Sequence, residues 1–162
     1  MLPKFLKPKQ EYDLIRLGQD NDGGYLVEKQ SIINSNCLIT LGLGYDWSFE
    51  KDYSKYKDKS IFCYDHTVNY SSIKKLCRKY LASYLFRIFK PKYFLKKNFF
   101  SQLSRNIFLY KNYKKFFSEK AEHLEQRIGS GSGGIMLNEI LEKKKELSPI
   151  FLKIDIEGSE YR

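Results

Sequence analysis

The sequence has few cysteines and no long hydrophobic run. Its three cysteines, Cys37, Cys63 and Cys77, are odd in number and lack CxxC spacing. This pattern fits a reducing compartment best and argues against a metal cluster. No window approaches the run of about 18 apolar residues that a membrane-spanning helix needs, and no apolar stretch follows the basic N-terminus in the manner of a signal peptide. We therefore predict a cytoplasmic, non-spanning protein without a metal site.

Acidic residues are nearly absent from one part of the chain. Residues 70–120 hold 14 of the 29 Lys and Arg but only one of the 19 Asp and Glu, Glu119, so the remainder holds 15 bases and 18 acids. The net charge of +10 is therefore local, and we predict a basic helical insertion over about 71–118 on a slightly acidic scaffold. Three interpretations stay open for this insertion: an ordinary solvated helix face, peripheral contact with an anionic membrane, or a nucleic-acid surface.

The remaining segments alternate between strand and helix patterns. Residues 12–18 and 24–27 are short β-leaning runs around a turn rich in Asn, Asp and Gly, so we predict an N-terminal hairpin within residues 1–36. A partial Rossmann-like domain should then occupy 37–162. Its predicted strands cover 37–41, 60–65, a weakly patterned 122–128 and a run from Ile150, and its predicted helices begin at Asp46, Ile73, Phe99 and Ile135.

This order predicts an α/β fold with a doubly wound, mostly parallel sheet, which binds ligands at the carboxyl ends of its strands. Three features converge on that edge. Gly42 and Gly44 end the first strand, Asp65 ends the second, and Asp155 and Glu157 end the fourth. A GxG turn or a strand-terminal Asp is by itself as often structural as ligand-binding. Trp47 stands where a GxGxxG fingerprint needs its third glycine, which disfavours NAD and FAD.

Four stretches resemble motifs of the FkbM-type, S-adenosylmethionine-dependent methyltransferases, and LKIDIEGSE is the most specific part. The stretches are RLGQDNDGGYLV (16–27), LITLGLGYDWSFE (38–50), IFCYDHT (61–67) and FLKIDIEGSEYR (151–162). The resemblance implies a class I methyltransferase fold in which Gly42 and Gly44, with Tyr45 beside them, flank the methionine part of S-adenosyl-L-methionine. It also implies that Asp65 binds the ribose and that the loop with Gly129 and Ser130 lies near the adenine. Members of the family O-methylate sugars or related small molecules, so a small-molecule or glycan acceptor is expected.

Methyl transfer to a hydroxyl needs an aligned acceptor and a base that takes its proton. Asp155 or Glu157 can serve as that base. Equally, Asp155 can hold the cofactor's amino group or an acceptor hydroxyl while Glu157 caps the next helix. His66 is expected more often to contact the adenine edge or solvent than to act as a base. No Asp/Asn-Pro-Pro-aromatic motif and no Pro-Cys pair is present, which disfavours a nucleic-acid substrate.

The family's sheet is expected to continue through three further strands after the DxEG motif, and this chain supplies none of them. We therefore expect a chain truncated after the fourth strand. A sheet of order 3-2-1-4 would leave that strand as an exposed edge, which a homo-oligomer can cover. The alternative function is a catalytically inactive remnant that acts as a binding or interaction domain.

Overall fold

The structure is a computed structural model that describes residues 10–20, 23–56, 60–88, 99–130 and 133–156. Within these ranges the chain alternates short strands with helices. The strands are β1 (Leu14–Leu17), β2 (Tyr25–Glu28), β3 (Cys37–Leu41), β4 (Ser60–Tyr64), β5 (Glu122–Leu124), β6 (Arg127–Ile128), β7 (Gly134–Ile135) and β8 (Ile150–Ile154). The helices are α1 (Lys29–Asn34), α2 (Ser48–Tyr53), α3 (Tyr70–Ile88), α4 (Phe99–Glu119) and α5 (Leu137–Lys143), with a 3-10 turn at Lys145–Leu147.

Four strands form one parallel sheet in the order β5-β4-β3-β8. Leu41 at the end of β3 lies opposite Tyr64 of β4 and Ile154 of β8, so the carboxyl ends of these three strands are level. In chain order this is the predicted arrangement 3-2-1-4. The predicted α/β class with a parallel sheet is confirmed, and the arrangement is compatible with a Rossmann-like fold.

Both faces of the sheet are covered, because successive side chains of a strand point to opposite faces. Leu38, Ile61 and Cys63 pack against side chains of α2 and α4 and of the first turn of α3. Ile39 and Phe62 are among the residues of the opposite face, which packs against α5. The central strand β3 is buried along its whole length. Apart from Thr40 it is an apolar run, as expected of a strand buried on both faces.

The predicted N-terminal hairpin is β1 and β2, which pair antiparallel with Leu14 opposite Glu28. It packs on α2: the backbone N–H of Gly18 donates to the carboxylate of Asp52 at 2.8 Å, and Leu17 is fully buried. The short helix α1 follows at once and was not predicted from the sequence. The hairpin thus lies against the sheet domain and contributes to its core.

Two predicted elements differ in the structure. The predicted strand 122–128 divides into β5 and β6, because the N–H of Gln126 donates to the carbonyl of Leu124 at 2.8 Å and turns the chain out of the sheet. β6 then pairs with β7 instead. The helix predicted from Ile135 begins later, since Ile135 belongs to β7, and it ends as a 3-10 turn.

The basic insertion forms α3 and α4, called here the basic helical pair. The rings of Tyr70 and Tyr110 lie 5.3 Å apart, so the start of α3 meets the C-terminal half of α4. The predicted apolar stripe of α3 is buried at Ile73 but exposed at Leu81, because the helix extends past the sheet that covers its first turn. None of the helices within the described residues is long and apolar enough to cross a bilayer.

Candidate functional site

A cavity of about 360 Å³ opens at the carboxyl ends of β3, β4 and β8. Most of the residues predicted for the site line it, and they come from all three strand ends: Gly42, Gly44, Tyr45, Asp65, His66 and Asp155. Gly129 and Ser130 are not among the lining residues. Glu157 lies outside the described residues. The structure therefore brings together six of the nine different residues that the sequence singled out.

The two predicted glycines have different roles in the loop after β3. Gly42 has φ of 82°, and a Cβ there would lie 1.9 Å from the carbonyl oxygen of Asp155. This position needs glycine, since any side chain would push the ends of β3 and β8 apart. Gly44 has φ of 57°, and a Cβ there would meet nothing within 4 Å. Gly44 thus leaves open space at the cavity, so that a ligand can lie close to its backbone.

Asp65 holds this glycine loop in place. One carboxylate oxygen accepts the backbone N–H groups of Leu43 at 2.8 Å and Gly44 at 2.9 Å. The other accepts the N–H and the hydroxyl of Thr67, both at 2.6 Å. Burial raises the pKa of Asp65, but the hydrogen bonds from Thr67, Gly44 and Leu43 outweigh it, and the net pKa is lowered. The carboxylate is charged, and its roughly four acceptor positions are all used within the chain.

Asp155 is linked to the N-terminal hairpin. The hydroxyl of Tyr25, at the start of β2, donates to the Asp155 carboxylate at 2.8 Å. The backbone N–H of Asp155 donates to the carbonyl of Leu41 at 2.8 Å, which fixes the strand end beside Gly42. Asp155 itself is exposed. Tyr25 was not predicted as a site residue, because its 130-residue separation from Asp155 gives no local signal.

A buried ion pair lies beneath the cavity. Lys153 of β8 lies 3.1 Å from the Glu50 carboxylate of α2, which also accepts the hydroxyl of Thr40 at 2.9 Å. Glu50 is fully buried, and its second oxygen has no partner among the described residues. The sequence pattern assigned Glu50 only to the first turn of a helix. Its role depends on α2 packing across β3 onto β8, which the sequence alone does not specify.

His123 of β5 connects the basic helical pair to the site. Its Nε2 donates to the backbone carbonyl of Asp65 at 3.0 Å, which leaves Nδ1 to accept the hydroxyl of Tyr113 from α4. Burial lowers the pKa of His123, which favours the neutral ring. Burial also raises the pKa of Tyr113 to about 12. This network was not predicted, because a histidine within a short polar strand carries no pattern of its own. His66, which was predicted, is exposed and lines the cavity.

The side of the cavity away from β8 is lined by residues 126–128. They precede the predicted loop, because the turn after β5 places β6, rather than the glycine-rich stretch, at the cavity. Arg127 places one positive charge on this side of the cavity. Gly129 instead donates its N–H to the carbonyl of Ile135 at 3.1 Å, next to the parallel pairing of β6 with β7.

The cavity lining carries an excess of negative charge. Its charged residues are Asp46, Asp65, Asp155, Arg127 and Lys153. Glu50 neutralises Lys153, so three carboxylates stand against Arg127. This balance disfavours a pyrophosphate and suits a neutral or cationic ligand.

Nothing in the comparisons with protein-family models, curated proteins and solved structures matches this chain significantly.

Proposed function

We propose that this chain is an S-adenosyl-L-methionine-dependent O-methyltransferase acting on a hydroxyl of a sugar or related small molecule. The observation that carries the proposal is the cavity at the level ends of three parallel strands, where Gly44 leaves open space and carboxylates outnumber cations. Its position is the one at which open α/β sheets bind ligands. The sequence resemblance to FkbM-type methyltransferases supports the same function.

The charge of the lining suits this cofactor, because its carboxylates outnumber its cations. Gly42 and Gly44 would lie along its methionine part, and residues 126–128 on the far side are suited to face the nucleoside. When bound, the cofactor supplies an electrophilic methyl group on a positively charged sulfur. Asp46 and Asp155 favour that positive charge electrostatically. Asp65 would act mainly by holding Leu43 and Gly44, and a ribose hydroxyl would have to share its oxygens with their N–H groups.

Asp155 is the described residue best placed to take the proton from an acceptor hydroxyl. It lines the cavity and is exposed, and one of its carboxylate oxygens accepts the hydroxyl of Tyr25. Its other carboxylate oxygen accepts no hydrogen bond from the described residues and can face an acceptor. Removing the proton as the hydroxyl attacks avoids a cationic ether intermediate.

Calorimetric titration of the 162-residue chain with S-adenosylhomocysteine tests the proposal. The critical variant is Gly44→Asn, since asparagine tolerates a positive φ and would fill the open space. Its matched control is Gly133→Asn, where φ is 75°, a Cβ also meets nothing within 4 Å, and the residue does not line the cavity. We expect micromolar binding by the wild type and by Gly133→Asn, and a loss of roughly ten-fold or more with Gly44→Asn, about 1.4 kcal/mol.

Circular dichroism of the three proteins separates a lost site from a lost fold. A folded wild-type chain that does not bind S-adenosylhomocysteine would overturn the proposal. That result would favour the second candidate, an inactive binding domain, for which the full use of the Asp65 oxygens within the chain is the supporting observation.

A further inference from the structure

The outward surface of the basic helical pair combines exposed apolar side chains with exposed cations. Leu85 is 52% exposed, Phe86 is 64% exposed and Phe108 is 68% exposed. Leu81 and Ile107 are exposed as well. The exposed cations on the same two helices are Lys74, Lys75, Arg78, Lys79, Lys111, Lys114 and Lys115. Exposed apolar side chains that cluster in this way mark a surface that contacts something other than water.

The two kinds of side chain are ordered along α3. Residues separated by three or four positions lie on one side of a helix. One row runs through Lys74, Arg78, Leu81 and Leu85. The row beside it runs through Lys75, Lys79, Ala82 and Phe86 in the same order. In both rows the cations lie near the start of α3, which follows β4, and the apolar side chains lie farther from the sheet.

Along α4 the exposed apolar side chains precede the cations in sequence, which is the reverse of α3. Relative to the sheet, however, the order is the same as in α3. Ile107 and Phe108 precede Lys111, Lys114 and Lys115, and the helix then ends just before β5. The cations of α4 therefore also lie nearer the sheet than its exposed apolar side chains. Among the residues whose side chains are described, both helices thus carry their exposed apolar side chains farther from the domain than their cations. Between positions 70 and 120 the sequence has one acidic residue, Glu119, against 14 Lys and Arg.

We propose that the basic helical pair docks the protein on an anionic phospholipid membrane, with its exposed apolar side chains in the headgroup and acyl boundary and its cations among the headgroups. In an anionic bilayer the acyl boundary suits the exposed apolar side chains, and the negatively charged headgroups suit the cations behind them. Leu81, Leu85 and Ile107 have no aromatic face on which a nucleic-acid base would stack. A second copy would bring an equally cationic segment against the first, which repulsion opposes. The proposal does not depend on the proposed function.

Flotation of the 162-residue chain with vesicles tests this surface. We expect the protein to float with vesicles of phosphatidylcholine and phosphatidylserine and to remain behind with phosphatidylcholine alone. Raising the salt concentration should weaken the binding, because it screens the attraction to the headgroups. Arg78→Glu with Lys79→Glu should reduce partitioning by about twenty-fold or more, at about five-fold for each cation. The matched control is Lys143→Glu with Lys145→Glu, an equal charge change at exposed residues of α5 and the following turn, which should bind like the wild type.

The apolar part has its own variant and control. Leu85→Ser with Phe86→Ser should reduce partitioning by about ten-fold or more, since each side chain would lose its burial in the boundary region. Leu26→Ser, at an exposed leucine of β2, should have no effect. Leu85 and Phe86 are exposed, so the variant with both replaced should still fold. Equal binding by Leu85→Ser with Phe86→Ser, absence of binding to anionic vesicles, or tighter binding to single-stranded RNA than to vesicles would each overturn the proposal.

Discussion

At the scale of single residues, Asp65 shows how an acid predicted to bind a ligand can also be a structural element. Its two oxygens accept hydrogen bonds from Leu43, Gly44 and Thr67. Two of the donors are backbone N–H groups of the loop that lines the cavity. If the cavity binds a ligand, the shape of its glycine loop depends on this charge whether or not the carboxylate touches the ligand.

Replacing Asp65 with asparagine should destabilise the fold. Asp65→Asn keeps the size of the side chain but turns an NH₂ group toward donors, leaving buried N–H groups unpaired. We expect a loss of roughly 1–3 kcal/mol in the free energy of unfolding at neutral pH, measured by urea denaturation. Asp13→Asn is the control, because that carboxylate is exposed and forms a surface ion pair with Lys29.

The difference between Asp65→Asn and the wild type should depend on pH. The pKa of Asp65 is lowered in the folded state, so the charged form stabilises the fold above the ordinary pKa of 3.8. That stabilisation is lost as the pH falls through the lowered value. The two proteins should therefore converge in strong acid. An equal difference at neutral and acidic pH would mean that the carboxylate charge is not what holds the loop.

At the scale of elements, the Glu50–Lys153 pair fixes α2 against β8. Thr40 of β3 lies between them and donates to the same Glu50 oxygen as Lys153. The pair therefore joins three elements around the base of the cavity. A charge buried in this way is tolerated only while its partner is present.

Removing Lys153 should be more harmful than removing both charges. Lys153→Met leaves the fully buried Glu50 without its counter-ion, and we expect a loss of about 3–5 kcal/mol in unfolding free energy. Glu50→Gln combined with Lys153→Met should recover much of that loss, since neither charge then stays unpaired. Thermal and urea denaturation of the wild type, both single variants and the double variant form the cycle that measures the coupling. Additive effects of the two changes would contradict the role given to the pair.

The elements that the sequence predicted are those with an unmistakable pattern. β3 and β4 are apolar runs apart from Thr40 and Ser60, and α3 and α4 have regular apolar spacing before and after Pro91. The division of 122–128 was not predictable, because the turn at Gln126 uses a backbone hydrogen bond with no sequence signature. The site residues show the same difference between positions with a local sequence pattern and positions without one. Residues at strand ends line the cavity. Tyr25 and His123 do not line it, and packing of distant segments brings them into contact with Asp155 and Asp65.

At the scale of the whole molecule, the sheet is asymmetric. Its centre is covered on both faces, but among the described residues β8 pairs only with β3. The N–H of Asp155 and the carbonyl of Pro149 both bond toward the β3 side. Because successive peptide groups of a strand point to opposite edges, the N–H groups of Ile150, Leu152 and Ile154 point away from β3. They form a template for pairing with another strand.

We expect two copies of this chain to associate through β8 as its concentration rises. Proline at position 154 would remove one outward N–H group without breaking a bond to β3, and proline is tolerated at such edge positions. Ile154→Pro should therefore stay monomeric in sedimentation velocity while the wild type associates. Ile154→Val is the control, since it keeps both the N–H group and an apolar side chain at this half-exposed position. Equal association of Ile154→Pro and wild type would show that the contact lies elsewhere, and a wild type that is monomeric at every concentration would show that the β8 edge does not pair in solution.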